Sequence, residues 1–269
     1  MASTPQENLP LFYRDLMPLN SREHVAWRCR QVDSVEWAAG HHAIPLTSEE
    51  FARAQHSFPI VFSPGANSTP LALMGLNEGV NAFIDANGKP IGEFYLPAYI
   101  RRYPYLSAKL TEDAEELTLC FDPQSGLIGN FDDGEALFDE SGKPATAARS
   151  ALEFCEGFEK ARLRTQTMMQ TLTEYDLLKD GEVVLSSKDD AANPYVYRGF
   201  RIVDEEKLRK LDGDRLSALS ESGLLPLLYA HLFSLDMMRV VFARQTDQGT
   251  LPPPDKGGME NGKANGRAN

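Results

Sequence analysis

The stretch Ala151-Leu-Glu-Phe154-Cys-Glu-Gly-Phe158-Glu-Lys-Ala161-Arg-Leu-Arg-Thr165-Gln-Thr-Met168-Met-Gln-Thr-Leu172-Thr-Glu-Tyr175 decides how the chain is read. Ala151, Phe154, Phe158, Ala161, Thr165, Met168, Leu172 and Tyr175 recur at alternating intervals of three and four. That is the period of a helix with a single buried stripe. The spacing predicts a helix over about 146–178, and ~30 residues at 1.5 Å each run ~45 Å. So long a helix divides the chain into an N-terminal and a C-terminal part.

Strand signals dominate the part before the helix. His24-Val-Ala-Trp27-Arg-Cys29-Arg-Gln-Val32 alternates in part and is rich in strand formers. Thr47-Ser-Glu-Glu50 reads as a capping box that opens a short helix to about Gln55. Pro59-Ile-Val-Phe62 and Leu71-Ala-Leu-Met-Gly75 read as strands joined by the turn residues 63–70. Asn81-Ala-Phe-Ile-Asp85 and Pro90-Ile-Gly-Glu-Phe-Tyr95 flank Asn87-Gly88. That pair suits a type I′ hairpin turn, in which both central residues take positive φ. Leu117-Thr-Leu-Cys-Phe121 is a further strand inside the stretch 111–142, which carries ten acids and no lysine or arginine. Residues 1–20 read as a loose arm docked by Leu11, Phe12 and Tyr13.

Beyond the long helix, Glu182-Val-Val-Leu185 and the stretch 195–203 predict a second hairpin. Asp204-Glu-Glu-Lys-Leu-Arg-Lys-Leu211 starts with acids and ends with bases, which suits the helix dipole. A helix over 214–222 ends at Gly223, and Pro226 opens a nearly all-apolar helix that is expected to be buried. From 246 onward glycine, proline, asparagine and lysine predict a disordered tail. The expected fold class is therefore α+β. An N-terminal antiparallel sheet-rich part with one short helix (21–144) precedes a part (145–245) made of the long central helix, a second hairpin and C-terminal helices. The arm 1–20 and the tail 246–269 flank them.

Composition narrows the function. The 269 residues are 42% hydrophobic and 25% charged, apolar enough for a sizeable core. A net charge of −12 favours solubility and repels phosphate backbones, so no nucleic-acid partner is expected. Cys29, Cys120 and Cys155 are widely spaced with no CxxC, which predicts reduced thiols and neither a disulfide framework nor a zinc site. Residues 1–10 lack a basic region followed by an apolar run, and the uncharged part of the apolar stretch 224–241 is shorter than the ~20 residues of a membrane span. A cytoplasmic location and no membrane span are the expectations.

Common phosphate cradles, nucleophile elbows and zinc-protease motifs are missing from the sequence. Were Gly134 the sixth position of a calcium loop, Gly129 and Phe131 would stand where oxygen ligands are needed, so the acidic run reads as solvated surface. Neighbours on a strand point to opposite faces, so His41-His42 reads as an exposed loop pair. His231, among Leu228, Leu232 and Leu235, reads as a hydrogen-bonded core histidine. No cofactor and no metal are expected.

The candidate site lies in Tyr95-Leu-Pro-Ala-Tyr-Ile-Arg-Arg-Tyr-Pro-Tyr105. Its prolines predict a constrained, largely extended backbone rather than a helix. Tyrosine supplies apolar area with a polar tip, and arginine a rigid fork for carboxylates. Tyr95, Tyr99, Arg101, Arg102, Tyr103 and Tyr105 are therefore the candidate ligand-binding residues. The competing reading is an inter-domain strap whose arginines pair with the acids of 111–142. On an extended segment, one of Arg101 and Arg102 faces the body of the protein and pairs with an acid. The other faces a groove or solvent.

These segments also carry a family likeness. Ala43-Ile-Pro-Leu46, Glu49-Glu-Phe51 and Phe58-Pro-Ile-Val-Phe62 form one block; Gly75-Leu76, Asn81-Ala-Phe-Ile-Asp85 and Gly88 form the next. The 95–105 segment, Gly199-Phe-Arg-Ile-Val-Asp-Glu-Glu-Lys-Leu208, Ser222-Gly-Leu-Leu225 and Tyr229-Ala-His-Leu-Phe-Ser-Leu235 complete the order. From about 22 to 240 the chain resembles the bacterial SapC family. That family is tied by name to surface layers and peptide transport. The resemblance implies a non-catalytic accessory or binding protein that recognises a peptide or protein partner in a cell-surface or uptake system. Two alternatives stay open: an enzyme that uses 95–105 with a histidine, and a structural subunit assembled through the long helix.

Overall fold

The structure, a computed structural model, describes residues 9–31, 33–110, 117–186 and 194–252. In chain order its strands are β1 (Met17–Pro18), β2 (Arg28–Cys29), β3 (Ala43–Pro45), β4 (Ile60–Phe62), β5 (Pro70–Leu73), β6 (Tyr105–Ala108), β7 (Thr118–Phe121), β8 (Ile128–Gly129), β9 (Glu135–Ala136), β10 (Leu178–Leu185) and β11 (Tyr195–Val203). Its helices are α1 (Ser21–His24), α2 (Phe51–Ala54), α3 (Ala98–Arg101), α4 (Thr146–Glu174), α5 (Glu205–Arg209), α6 (Gly213–Glu221), α7 (Leu224–Ser234) and α8 (Met237–Asp247). The fold class is α+β, with α4 as the long central helix.

Three antiparallel sheets result. The largest has the order β10-β11-β4-β5-β3, and the others are β1-β7-β6 and β8-β2-β9. The second hairpin therefore completes the N-terminal sheet instead of standing apart, and the chain before and after residue 145 shares one sheet and one core. The arm is part of the fold from residue 9: Leu11 and Phe12 pack on the main core, and Met17 and Pro18 pair with Phe121 and Cys120.

Helix α4 spans 29 residues, or ~44 Å. Its stripe works as its spacing predicts. Ala148 and Cys155 pack into a smaller core with Leu119, Phe121 and Leu137, whereas Phe158, Met168, Met169 and Leu172 pack into the main one. Thr165, the one polar member of the stripe, accepts the Ser48 N–H at 2.8 Å and donates to the Ala161 carbonyl. Its hydroxyl thereby ties α4 to the capping box over Thr47–Glu50, which forms as expected.

His231 closes a gap in the largest sheet. β11 and β4 share a single residue pair, Arg201↔Phe62. Beyond it the fully buried His231 bridges the strands: Nε2 accepts the Val203 N–H at 3.0 Å, and Nδ1–H donates to the Ile60 carbonyl at 2.8 Å. Ser234 Oγ accepts the Ile60 N–H. A buried backbone group has to find a partner, and side chains of α7 supply it where the ladder stops.

Several local expectations are corrected. The Asn20 side chain accepts the N–H groups of Arg22 and Glu23, so 21–24 coils into α1, and only Arg28 and Cys29 of the expected strand are paired. The 81–95 hairpin reduces to one bridge, Ile84↔Pro90. There the Asp85 carboxylate accepts the N–H groups of Asn87 and Lys89. Of the Asn87-Gly88 pair only Gly88 takes a positive φ, 74°, and a Cβ on it would strike the Glu36 backbone, so the turn is not type I′. The apolar C-terminal helix is two helices and only half sunk: Phe233 is 67% exposed. Leu224–Asp247 contains an 18-residue window of mean hydropathy 1.4, apolar and long enough to cross a membrane; 33% of that window is buried, and His231, Ser234 and Gln245 face the core.

The fold continues past residue 246, where composition places the start of the tail. α8 runs to Asp247, Leu251 packs near Met238 and Phe242, and the buried Gln245 side chain accepts the Leu76 N–H and donates to Asn77 Oδ1 and the Thr250 carbonyl. The tail expectation for 253–269 lies outside the described residues. Truncation after Gln245 is expected to lower the melting temperature by several degrees, whereas a chain ending at Pro252 keeps these contacts. Thermal unfolding of both truncations checks this, and equal temperatures would show that 246–252 contributes nothing.

Candidate functional site

The 95–105 segment is not extended throughout. Pro97 sits at the N-cap of α3, a position where its missing N–H costs nothing, and Pro104 lies beyond the helix end, so one helical turn fits between the two prolines. Glu50 holds that turn in place. Its Oε2 accepts from the Thr47 N–H and hydroxyl, and its Oε1 accepts the Ala98 N–H at 2.7 Å and the Tyr95 hydroxyl at 3.1 Å. One buried carboxylate thus fastens the capping box to the start of α3.

The helical turn separates two clefts. The first, of about 850 Å³, runs along the C-terminal half of α4. Thr47 and the loop 66–70 form its opposite side, and Tyr99, Arg102 and Phe158 also line it. Its size falls within the ~300–1,000 Å³ usual for ligand sites. The second, of about 560 Å³, lies between 29–31 with 34–37, the Arg101–Tyr105 turn and the first turns of α4. Among the described residues Arg102 is the one that lines both.

Of the six candidates, Tyr99 lines the first cleft, Arg101, Tyr103 and Tyr105 line the second, Arg102 lines both, and Tyr95 lines neither. The Tyr95 hydroxyl donates to Glu50 and accepts from Arg101 Nη2. Burial raises its pKa, and Glu50 beside it pushes the same way. Tyr103 donates to Asp122 at 3.2 Å, and burial together with that carboxylate pushes its pKa up. Tyr99 lies under the Arg102 guanidinium at 4.2 Å; burial raises its pKa, which Arg102 partly offsets.

The two arginines do part, one inward and one outward, but among the described residues the inward one has no acid partner. Arg102 is 5% exposed and stacks on Tyr99 and on Phe158 at 4.4 Å, and its Nε has no hydrogen-bond partner. Among the described residues no carboxylate pairs with it. Asp133 pairs with Arg30, and Asp122 accepts from Tyr103 and the Arg14 N–H. Glu112, Asp113, Glu115 and Glu116 lie outside the described residues. Arg101 is exposed, bonds the Leu96 carbonyl and stacks 5.2 Å over Phe154. Tyr95 and Arg101 thus brace the segment through each other and through Glu50 and the Leu96 carbonyl, and among the described residues neither Arg101 nor Arg102 pairs with a carboxylate.

Sequence reasoning missed the wall that α4 contributes. Arg162, Gln166 and Gln170 line the first cleft at i, i+4 spacing, and Thr173 comes next. A polar rung alongside an apolar stripe is the signal that the sequence holds for it. No histidine lines either cleft among the described residues: His41 stands edge-on to Phe12, which separates it from Tyr99. Among the described residues no group of three or more histidine, cysteine, aspartate or glutamate side chains could hold a metal. Cys155 and Cys120 are buried thiols whose pKa values burial pushes up to about 11, so both are protonated at neutral pH.

No curated protein and no solved structure is detectably similar to this chain. A sequence profile described as SapC matches residues 19–240, most of the chain, and takes in both clefts except the edge formed by Pro10. The chain belongs to the SapC family.

Proposed function

We propose that this is a non-catalytic accessory protein of the cytoplasm that binds a peptide, free or as the end of a protein partner, in the first cleft, and serves a cell-surface or uptake system. The observation that carries the reading is Arg102: a buried guanidinium on apolar rings, without a carboxylate among the described residues, in the wall of a ligand-sized cleft. A desolvated cation gains most from an anion that reaches it, and the arginine fork suits a carboxylate. Gln166, Gln170 and Asn67 supply side-chain amides for a peptide backbone along the same cleft. The peptide's C-terminal carboxylate goes to Arg102 and its backbone runs along α4.

The test is a panel of tetrapeptides in pairs, with free and with amidated C-termini, titrated calorimetrically. Free carboxylates are expected to bind at least tenfold more tightly than amides, a difference of ~1.4 kcal/mol or more. The preference should vanish in Arg102→Lys, which keeps the charge without the fork, while Gln170→Ala weakens both forms alike. Equal binding of free and amidated peptides would sink the reading.

A further inference from the structure

The second cleft carries an anion chemistry of its own. In a chain of net charge −12, the described residues that line it include three arginines, Arg30, Arg101 and Arg102, against one carboxylate, that of Glu135. Arg30 is already committed to Asp133 at 2.7 Å and to the face of Phe131. Arg101 and Arg102 are not. The first bonds only the Leu96 carbonyl and the Tyr95 hydroxyl, the second lies among rings, and neither has a carboxylate partner among the described residues.

Tyr105, which also lines this cleft, is 9% exposed and its hydroxyl has no oxygen or nitrogen partner, only the Cys29 thiol beside it, as Arg102 leaves its Nε unpaired. A buried donor without an acceptor is unfavourable, and a bound anion supplies acceptors. The flank is aromatic: Trp37 and Tyr103 lie 4.8 Å apart at 35°, and Trp37 is held by a hydrogen bond to the Ile100 carbonyl. Charge and unsatisfied donors in a cleft that flat rings also line describe one kind of occupant.

We propose that the second cleft binds a small planar anion, an aryl phosphate or aryl carboxylate. Its acid group meets Arg101, Arg102 and the Tyr105 hydroxyl, and its ring lies against Trp37. Fork geometry matches both acids, and offset aromatic contact favours a ring over a bare ion. The proposal does not rest on peptide binding in the first cleft, since the two share Arg102 alone among the described residues.

The experiment uses the full chain with Trp27→Phe, which leaves Trp37 as the sole tryptophan reporter. Phenyl phosphate, benzoate and inorganic phosphate are titrated separately while Trp37 fluorescence is followed. Saturable quenching is expected with phenyl phosphate or benzoate, at least tenfold tighter than with inorganic phosphate. Whichever of the two binds more tightly assigns the acid group. Arg101→Gln should weaken the aryl anion at least tenfold and Tyr105→Phe several-fold, with the melting temperature of Arg101→Gln unchanged. Tetrapeptide binding should be untouched by Arg101→Gln, so failure here is distinguishable from failure of the peptide reading. Aryl-anion binding that survives both substitutions, an absence of quenching by either aryl anion, or inorganic phosphate binding as tightly as phenyl phosphate, overturns the proposal.

Discussion

His231→Ala is expected to cost about 4 kcal/mol at pH 7.5, the combined effect of leaving the Val203 N–H and the Ile60 carbonyl unpaired in the core at ~1–3 kcal/mol each. The loss should be pH-dependent. Burial lowers the folded-state pKa of His231 to about 4 from 6.5, although its bond to Ile60 opposes the shift. Between those values the unfolded chain binds a proton at this site and the folded chain does not, so stability falls as the pH falls. The contribution is complete above pH 6.5 and has gone near pH 4, a span of ~3 kcal/mol at 1.36 kcal/mol per unit. The wild type and His231→Ala should therefore converge in acid. Urea midpoints at pH 7.5, 6 and 4.5 for both proteins measure this, and parallel profiles would show that the imidazole is not the group that titrates. His41 and His42 are also held below their usual pKa by burial, but both proteins retain them and their effect cancels in the difference.

Phe158→Ala is expected to cost about 4 kcal/mol, in the range usual for removing a buried ring. Phe158 stands where the stripe of α4 meets the candidate site: it is 9% exposed, edge-on to Tyr99 at 6.1 Å, and carries the Arg102 guanidinium on its face. Deleting the ring opens a cavity beneath the first cleft and removes a desolvated cation–π contact worth ~2 kcal/mol. Arg102 then gains room to turn, so tetrapeptide affinity should fall together with stability. Denaturant unfolding checks the first effect and calorimetry the second. Phe158→Leu, which retains most of the volume, should recover most of the stability but not the stacking. An unchanged midpoint in Phe158→Ala would mean that the stripe does not seal the core.

These two residues show how far reading along the chain goes. The stripe through Phe158 and the apolar neighbours of His231 are periodic facts, visible in a linear string because a helix presents every third or fourth residue to the same side. The capping box and the strands β4, β5 and β11 are legible for a similar reason, since each depends on residues a few positions apart. The candidate site is legible by residue type but not by arrangement. Tyr99 and Arg102 stand out in the string, while the Arg162, Gln166 and Gln170 wall belongs to a helix about 60 residues later. The extended reading of 97–104 fails because a proline forbids helix behind it and not ahead of it. The residues between Pro97 and Pro104 form a turn once Glu50, far back in the chain, accepts the Ala98 N–H.

By itself the sequence determined the α+β class, the long helix and its buried face, the second hairpin, the acidic charge balance and the residue types of the candidate segment 95–105. Local propensity and hydrophobic period act over a few residues, and a string records them in full. Only the tertiary structure decided that the second hairpin completes the first sheet, that His231 stitches β11 to β4, and that Arg102 turns inward with no acid beside it among the described residues while Arg101 turns out. Each of these is a choice of partner between groups distant in sequence, and packing makes it: whichever side chain arrives at a buried donor or acceptor becomes its partner.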